Sequence, residues 1–282
     1  MMQLDLVDVF ATGPLSGNPL AVVRGGEDLD AGTMLRITRW LGFSETTFLL
    51  PPVDPAADYR VRIFYPAGEL PFAGHPTLGS AHAWLAAGGS PKVPGQVMQE
   101  CGIGLVEVRQ EGEELAFRAP PLVRSGPLDA LDLAETIRLC GVDARDVVAG
   151  VHASNGPGWK LLHLVSAEAV LAAEPVPRAP IPTDVALLGP CKPGDEAQWE
   201  LRAFFADAAG RVCEDPVTGS LNAAVAQYLF AAGLAQRDYV AAQGRKVGAA
   251  GRIRCREDAE GSIWIAGNVA TVSRGGAMPL AT

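Results

Sequence analysis

Two short motifs place a histidine and an aspartate at matched points of the chain. The first reads H-P-T-L-G-S from His75, and the second reads D-P-V-T-G-S from Asp215. An imidazole or a carboxylate there can hydrogen-bond a polar substrate or transfer protons, and Ser220 can donate its hydroxyl to a bound carboxylate. Turn or helix-capping roles are the alternative for these residues. The offset of 140 positions is close to half of the 282 residues, which predicts two similar halves.

A third candidate, Glu45, lies in an apolar and aromatic segment over residues 43–50 that we predict to be a strand. Beside Phe43 and Phe48, a carboxyl group would be shielded from water, and this desolvation would raise its pKa. A glutamate of that kind suits general acid/base catalysis near neutral pH. The alternative is a glutamate that faces solvent from a half-exposed strand, and periodicity alone favours it.

An alanine-rich segment without Asp, Glu, Lys or Arg follows each motif, over residues 81–87 and 221–232. We predict helices that begin at Gly79 and Gly219 and are ended by the glycines at 88–89 and 233. A helix that is apolar on all sides is buried, so each half should be a sheet around a central helix. The N–H groups at the two helix starts can bind a carboxylate in a cleft between the halves. The alternative is two capped core helices that bind nothing.

Alternating and β-branched segments, such as residues 3–10, 20–23, 59–65 and 97–108, predict strands around these helices. The proline-containing stretch 120–127 is the predicted boundary between the halves. We therefore expect an N-terminal lobe over residues 1–120, completed by a C-terminal strand at about 272–282, and a C-terminal lobe over residues 121–271.

Composition argues against several classes of partner. The net charge of −9 and the absence of a Lys/Arg cluster argue against nucleic acid. No apolar run of about 18 residues is present, so we expect no membrane span. The five cysteines are scattered without a CxxC pair, which is typical of reduced thiols in a cytoplasmic protein. The nucleotide, zinc-protease and hydrolase motifs are missing, so these three functions have no motif support, and we expect no metal site.

Several segments, in this order along nearly the whole chain, resemble the PhzF family of phenazine-biosynthesis-like isomerases. They are F-A at 10–11 with G-N-P at 17–19, S-E-T at 44–46, R-I-F at 62–64 with Pro66, E-L-P-F-A-G-H-P-T at 69–77, E-D-P-V-T-G-S at 214–220, and Q-G at 243–244 with G-R at 251–252. The G-H-P and E-D-P-x-T-G-S motifs are specific in combination.

The resemblance implies an α+β protein of the diaminopimelate epimerase fold, with two pseudo-symmetric lobes, each a mixed β-sheet rolled around a central helix. It also implies a homodimer and cofactor-independent acid/base isomerisation, as in the family's type enzyme, which acts on a dihydro-hydroxyanthranilate. By motif, Glu45 is the residue that moves the proton. His75 and Asp215 assist it, and Gly74, Thr218, Gly219 and Ser220 fall where the family binds its substrate. The substrate of this chain is not specified by these residues.

Two other functions fit the same scaffold. Related epimerases use two cysteines, one at each motif, whereas here the first motif has no thiol and only Cys213 lies near the second. A thiol-dependent amino-acid epimerase is therefore disfavoured. A small-anion binding protein without catalysis is the other alternative, and its ligand affinity would not depend on Glu45.

Overall fold

The computed structural model describes residues 2–279 as strands with a few helices between them. The helices are α1 (Ala31–Leu41), α2 (Gly74–Ala86), α3 (Ala130–Cys140), α4 (Ala167–Ala172) and α5 (Gly219–Ala231). The strands are β1 (Met2–Val9), β2 (Asn18–Arg24), β3 (Thr46–Leu50), β4 (Tyr59–Tyr65), β5 (Gly68–Leu70), β6 (Gln96–Cys101), β7 (Gly104–Glu111), β8 (Glu114–Arg118), β9 (Arg124–Pro127), β10 (Val147–Ser154), β11 (Lys160–Leu164), β12 (Asp184–Pro190), β13 (Trp199–Ala206), β14 (Val212–Asp215), β15 (Asp238–Gln243), β16 (Gly251–Glu257) and β17 (Ile263–Met278).

The described residues divide into two compact units. Unit 1 comprises the residues up to Arg118 and those from Ala266 on, and unit 2 comprises Ala119–Ile265. Residues 1 and 280–282, which we assigned to the N-terminal lobe, lie outside the described residues.

Unit 1 contains a mixed sheet in the order β17–β1–β2–β3–β4–β6–β7–β8. The pairs β2–β3 and β4–β6 are parallel, and β5 forms a short hairpin with β4. Because β17 also pairs with β8, the sheet closes into a barrel. A separate apolar cluster lies under α1, around Met34, Ile37 and Phe48.

Unit 2 contains a mixed sheet in the order β9–β10–β11–β12–β13–β15–β16. The pairs β11–β12 and β13–β15 are parallel, and β14 forms a hairpin with β13. Strands β10 to β16 therefore repeat the pairing order of β1 to β7. The repeat seen in the sequence has a counterpart in the strand pairings.

Helix α2 packs against six strands of unit 1: β1, β2, β3, β6, β7 and β8. Every residue from Gly74 to Ala81 is buried. Gly79 lies at the closest approach, since a Cβ atom there would be 2.5 Å from Leu20 Cδ2 and 3.0 Å from the side chains of Val7 and Val9. The first two turns of this helix are therefore enclosed by the sheet.

The start of α2 was predicted wrongly. The helix begins at Gly74, and Gly79 lies in its second turn, because Pro76 fits inside a first helical turn, where its missing N–H costs no hydrogen bond. The start of α5 at Gly219 is as predicted. His75 is thus the second residue of a helix, whereas Asp215 ends a strand.

Two strand boundaries also differ from the sequence interpretation. Strand β3 begins only at Thr46, so Glu45 precedes the strand and does not lie within it. The predicted strand over residues 97–108 is two strands joined by a tight turn. Strand β9 lies within the segment 120–127.

We expect Gly79→Ala to destabilise the protein, although alanine is the better helix former by about 1 kcal/mol. The added methyl group meets Leu20, Val7 and Val9, and overpacking of this kind costs about 1–3 kcal/mol. The free energy of unfolding in urea measures the effect. The matched control is Gly32→Ala in the exposed first turn of α1, which should be neutral or stabilising. A Gly79→Ala protein as stable as the wild type would contradict the close packing of α2.

Candidate functional site

Glu45 and His75 lie side by side in unit 1. Glu45 directly precedes β3, and His75 lies in the first turn of α2. Glu45 Oε2 is 3.5 Å from His75 Nε2, and the side chains are 19% and 5% exposed. The fold thus brings together two of the three predicted catalytic residues. Glu45 keeps an exposed fraction through which a substrate can reach it.

Burial determines the charge of His75. Desolvation lowers the pKa of this imidazole from 6.5 to about 3, because an enclosed ring cannot be hydrated when it is charged. At neutral pH His75 is therefore neutral, and it has one N–H donor and one nitrogen acceptor. It can polarise a substrate or a carboxyl group without adding a positive charge beside Glu45.

Asn18, the first residue of β2, sets the orientation of that ring. Its Nδ2 lies 3.4 Å from His75 Nδ1 in the buried interior. An amide N–H₂ only donates, so in this orientation Nδ1 accepts and the ring hydrogen is on Nε2, on the side of Glu45. Asn18 belongs to the G-N-P segment that resembles the PhzF family, but the motif alone indicated no role for it.

The loop before Asn18 is fixed by a buried carboxylate. Asp8 accepts hydrogen bonds from the backbone N–H groups of Ser16 and Gly17 at 2.8 and 2.9 Å. A Cβ atom on Gly17 would be 2.1 Å from the carbonyl oxygen of Val9, so only glycine fits. Desolvation raises the pKa of Asp8, although the backbone hydrogen bonds oppose it. Asp8 therefore holds Asn18 in place through the loop.

The start of α2 differs from an ordinary capped helix. Its N-cap residue is Ala73, which makes no side-chain hydrogen bond to the first turn in the described structure. Ser80, one turn further on, donates its hydroxyl to Thr47 Oγ1 at 2.9 Å and so ties the helix to β3. The first-turn N–H groups, including that of Gly74, are thus left to other acceptors.

In unit 2, the predicted residues gather around the start of α5. Thr218 is the N-cap residue, but within residues 2–279 its side chain makes no capping bond. Its hydroxyl instead donates to Asp215 Oδ2 at 2.5 Å. Gly219 and Ser220 form the first turn, and Asn155 Nδ2 donates to the Ser220 carbonyl at 2.8 Å. The backbone N–H groups of this turn are therefore not used by its own cap.

Two other histidines have hydrogen-bond partners of their own. His82 bonds with Thr271, and His163 contacts Tyr228. No group of His, Cys, Asp and Glu side chains able to hold a metal is found in the described part of the chain. The five cysteines are free thiols, and Cys213 lies on β14. No described helix is long and apolar enough to cross a membrane.

Known proteins match this chain over most of its length. The family model for phenazine biosynthesis-like proteins (PhzC-PhzF) matches residues 7–275. The chain belongs to this family. It is 32% identical over 280 residues to trans-2,3-dihydro-3-hydroxyanthranilate isomerase of Pseudomonas chlororaphis, covering 96% of this chain and 97% of that protein.

Solved structures place the fold. A predicted epimerase from Pseudomonas aeruginosa superposes with a TM-score of 0.79 at 30% identity, over 99% of this chain and 100% of that one. A probable proline racemase from Agrobacterium radiobacter superposes with a TM-score of 0.61 at 14% identity, over 99% and 94% of the two chains, which shows likeness of fold alone. The predicted family is confirmed, and so is a mixed-sheet barrel with few helices. The protein is an isomerase of the PhzF family, as predicted.

We expect His75 to make stability depend on pH. The unfolded chain binds a proton at His75 near pH 6.5, whereas the folded protein resists protonation until about pH 3. Stability should therefore fall as the pH is lowered from 6.5, with a contribution of up to about 1.4 kcal/mol per pH unit. Urea unfolding of wild type and His75→Gln at about pH 8, 7, 6 and 5 measures it.

The free energy of unfolding of the wild type should drop relative to that of His75→Gln only below about pH 6.5. The measurements at pH 7 and 8 are the internal control, since His75 is neutral there in both the folded and the unfolded state. A difference between the two proteins that stays constant down to about pH 5 would show that His75 is not buried in its neutral form.

Proposed function

We propose that this isomerase moves a proton within a small carboxylate-bearing cyclic substrate, by general acid/base catalysis and without a cofactor. The observation that supports it most directly is the contact between Glu45 and a buried, neutral His75. A substrate similar to trans-2,3-dihydro-3-hydroxyanthranilate is proposed because relatives with that name match most of the chain.

Glu45 takes the proton in this proposal. Its carboxylate removes a proton from one ring carbon and becomes a carboxyl group, and it then returns the proton to another carbon on the same face. A proton shift on one face needs a single group that accepts and releases the proton. The Glu45 side chain is 19% exposed, which suits a group that must reach a substrate and still be shielded from most water.

His75 assists by staying neutral. A cationic imidazole 3.5 Å away would hold Glu45 in its ionised form and weaken it as a base. A neutral ring with its hydrogen on Nε2 can instead donate a hydrogen bond to the carboxylate or to the substrate. Asn18 maintains that tautomer, as its Nδ2 faces Nδ1.

The substrate carboxylate is bound at the helix starts. Gly219 and Ser220 offer backbone N–H groups and a hydroxyl at the positive end of α5, and Gly74 offers a backbone N–H at the positive end of α2. Asp215, oriented by the Thr218 hydroxyl, hydrogen-bonds a polar group of the substrate.

The architecture that joins these residues is part of the proposal. The lobes are pseudo-symmetric, each with its sheet rolled around α2 or α5, and they correspond to residues 1–120 with the C-terminal strand and residues 121–271. The repeated pairing order of the strands supports this, as does the enclosure of α2. We further propose that the protein is a cytoplasmic homodimer.

A small-anion binding protein remains the second candidate, because the helix starts alone would serve it. Ligand affinity would then be indifferent to Glu45→Gln, and no hydrogen would be exchanged with solvent deuterium. The contact of Glu45 with His75 favours catalysis, since binding a carboxylate does not call for a second carboxylate nearby.

Glu45→Gln should lower kcat for trans-2,3-dihydro-3-hydroxyanthranilate by at least about 10²–10⁴-fold, because the amide cannot carry the proton. Incorporation of solvent deuterium into the product should fall in parallel, whereas KM should change little. Turnover and mass spectrometry of the product provide the measurement.

The matched control is Glu113→Gln, which removes an exposed carboxylate of unit 1. It should leave turnover, deuterium incorporation and thermal stability unchanged. Wild-type-like turnover by Glu45→Gln would remove Glu45 from the mechanism. An inactive wild type that still binds the substrate analogue 3-hydroxyanthranilate would favour the anion-binding function.

Cys213→Ser should keep kcat within about twofold of the wild type, because the proposed proton transfer passes through a carboxyl group and uses no thiol. Alkylation of the wild type with iodoacetamide should leave the Glu45-dependent deuterium exchange intact. If Cys213→Ser abolishes turnover while remaining folded by circular dichroism, the thiol-dependent epimerase becomes the better account.

A further inference from the structure

Gln243, the last residue of β15, is a buried amide that the proposed chemistry does not use directly. Its Oε1 accepts hydrogen bonds from the Thr218 backbone N–H at 3.1 Å and from Asn222 Nδ2 at 3.0 Å. Its Nε2 donates to the Asp215 carbonyl at 3.2 Å and to Thr218 Oγ1 at 2.9 Å. Both ends of the amide thus contact the turn that leads into α5.

The orientation of this amide is determined by backbone groups. The Thr218 N–H can only donate, so the atom that faces it must be the oxygen. The Asp215 carbonyl can only accept, so the atom that faces it must be the nitrogen. A flipped amide would lose both hydrogen bonds, and Gln243 therefore has one orientation.

That orientation determines the direction of the Thr218 hydroxyl. The Nε2–H of Gln243 occupies a lone pair of Thr218 Oγ1, so the hydroxyl hydrogen must point to a different acceptor. The acceptor is Asp215 Oδ2, at 2.5 Å. Hydrogen bonds to a carboxylate are short and strong. Gln243 thus donates to Thr218, and Thr218 donates to Asp215.

The hairpin that carries Gln243 is shaped to receive the same turn. Gly244 has a φ of +97°, and a Cβ atom there would be 2.5 Å from the Pro216 carbonyl oxygen. Gly251, paired with Gln243, would place a Cβ atom 2.4 Å from Val217 Cγ2. The Q-G and G-R segments quoted in the sequence analysis therefore support the Asp215–Thr218 turn.

We propose that Gln243 is a positioning residue, which acts through the Thr218 hydroxyl to hold the Asp215 carboxylate in the orientation that the substrate meets. The proposal rests on the proposed role of Asp215 in the reaction. Gln243 contacts no substrate in this account, and its effect is on how Asp215 is presented.

Unit 1 offers a matched control. Gln99 on β6 is buried like Gln243, donates from Nε2 to Thr77 Oγ1 at 3.1 Å, and accepts from the Tyr59 hydroxyl at 2.8 Å. Among the described contacts, its hydrogen bonds reach neither Glu45 nor His75. Gln99→Met therefore removes a comparable buried amide without touching a proposed catalytic group.

Kinetics with trans-2,3-dihydro-3-hydroxyanthranilate test the proposal. Gln243→Met should lower kcat about tenfold to a hundredfold, because the lost hydrogen bonds hold a charged group, while KM changes less than about threefold. Gln99→Met should lower the melting temperature about as much as Gln243→Met does, but its kcat should stay within about threefold of the wild-type value. Equal losses of kcat in the two variants would overturn the proposal.

Thr218 provides a second test if Gln243→Met folds poorly. Thr218→Val removes the hydroxyl and keeps the shape, whereas Thr218→Ser keeps the hydroxyl and should lose much less of kcat than Thr218→Val does. Since the Thr218 side chain makes no capping hydrogen bond, Thr218→Val removes no hydrogen bond from the start of α5. Thr218→Val and Gln243→Met should be strongly non-additive, because both interrupt one chain of hydrogen bonds. Additive losses in the double variant would contradict the proposal.

A crystal structure of Gln243→Met gives a readout that needs no turnover. Thr218 Oγ1 should move beyond hydrogen-bond distance of Asp215 Oδ2, or Asp215 should adopt another rotamer. An unchanged Thr218–Asp215 contact would refute the positioning role even if the enzyme acts on a different substrate. Failure of the proposed function is recognised separately, as a wild type that does not turn over the probe or a Glu45→Gln variant that does.

Discussion

Enclosure of the first two turns of α2 by the sheet is the constraint on which the rest of unit 1 depends. A buried helix must be apolar on all sides, and this one carries no charged residue. The approach to β1 and β2 is close enough that only a residue without a side chain fits at Gly79. Because the helix starts inside the sheet, its first turn is withdrawn from water, and His75 with it. The low pKa of His75 follows from packing and needs no neighbouring charge.

The two units support their helix starts with similar parts but present different chemistry. A buried glutamine on the strand after the central helix bonds a threonine at the helix start, Gln99 to Thr77 in one unit and Gln243 to Thr218 in the other. A neutral ring needs only shielding and one orienting donor. A carboxylate in a half-buried turn needs a donor directed at it, and the Thr218 hydroxyl meets that need in unit 2.

The general plan was predictable because it depends on local patterns and on their repetition. The repeated motifs, the apolar helices and the alternating strands are all readable from neighbouring residues, and the family follows from the motifs. The start of α2 was not predictable, since Pro76 fits equally before a helix and inside its first turn. Glu45 was placed in a strand because residues 43–50 are rich in β-forming residues, but the pairing of β3 with β2 begins only at Thr46.

The supporting residues were harder to predict than the catalytic candidates. Asn18 and Gln243 contact residues 57 and 25 positions away, so no local pattern indicates what they touch. Both lie in segments that resemble the PhzF family, Asn18 beside Pro19 and Gln243 beside Gly244, and this resemblance was the one sign in the sequence that they matter. The roles of Glu45, His75 and Asp215 in the reaction stay predictions, drawn from residue chemistry and family resemblance.

The pairing of the first and last strands has a consequence for how the chain can be rearranged. Met2 lies opposite Met278 in the antiparallel pair β1–β17, so the two ends of the described chain lie side by side. A short peptide linker can join them without disturbing the ladder, and new ends can then be opened in an exposed turn such as residues 192–196 between β12 and β13. Circular permutation should therefore preserve the fold, whereas deleting the final strand would strip β1 of a partner and expose the barrel interior. The order of the strands along the chain can thus be changed without changing which strands pair.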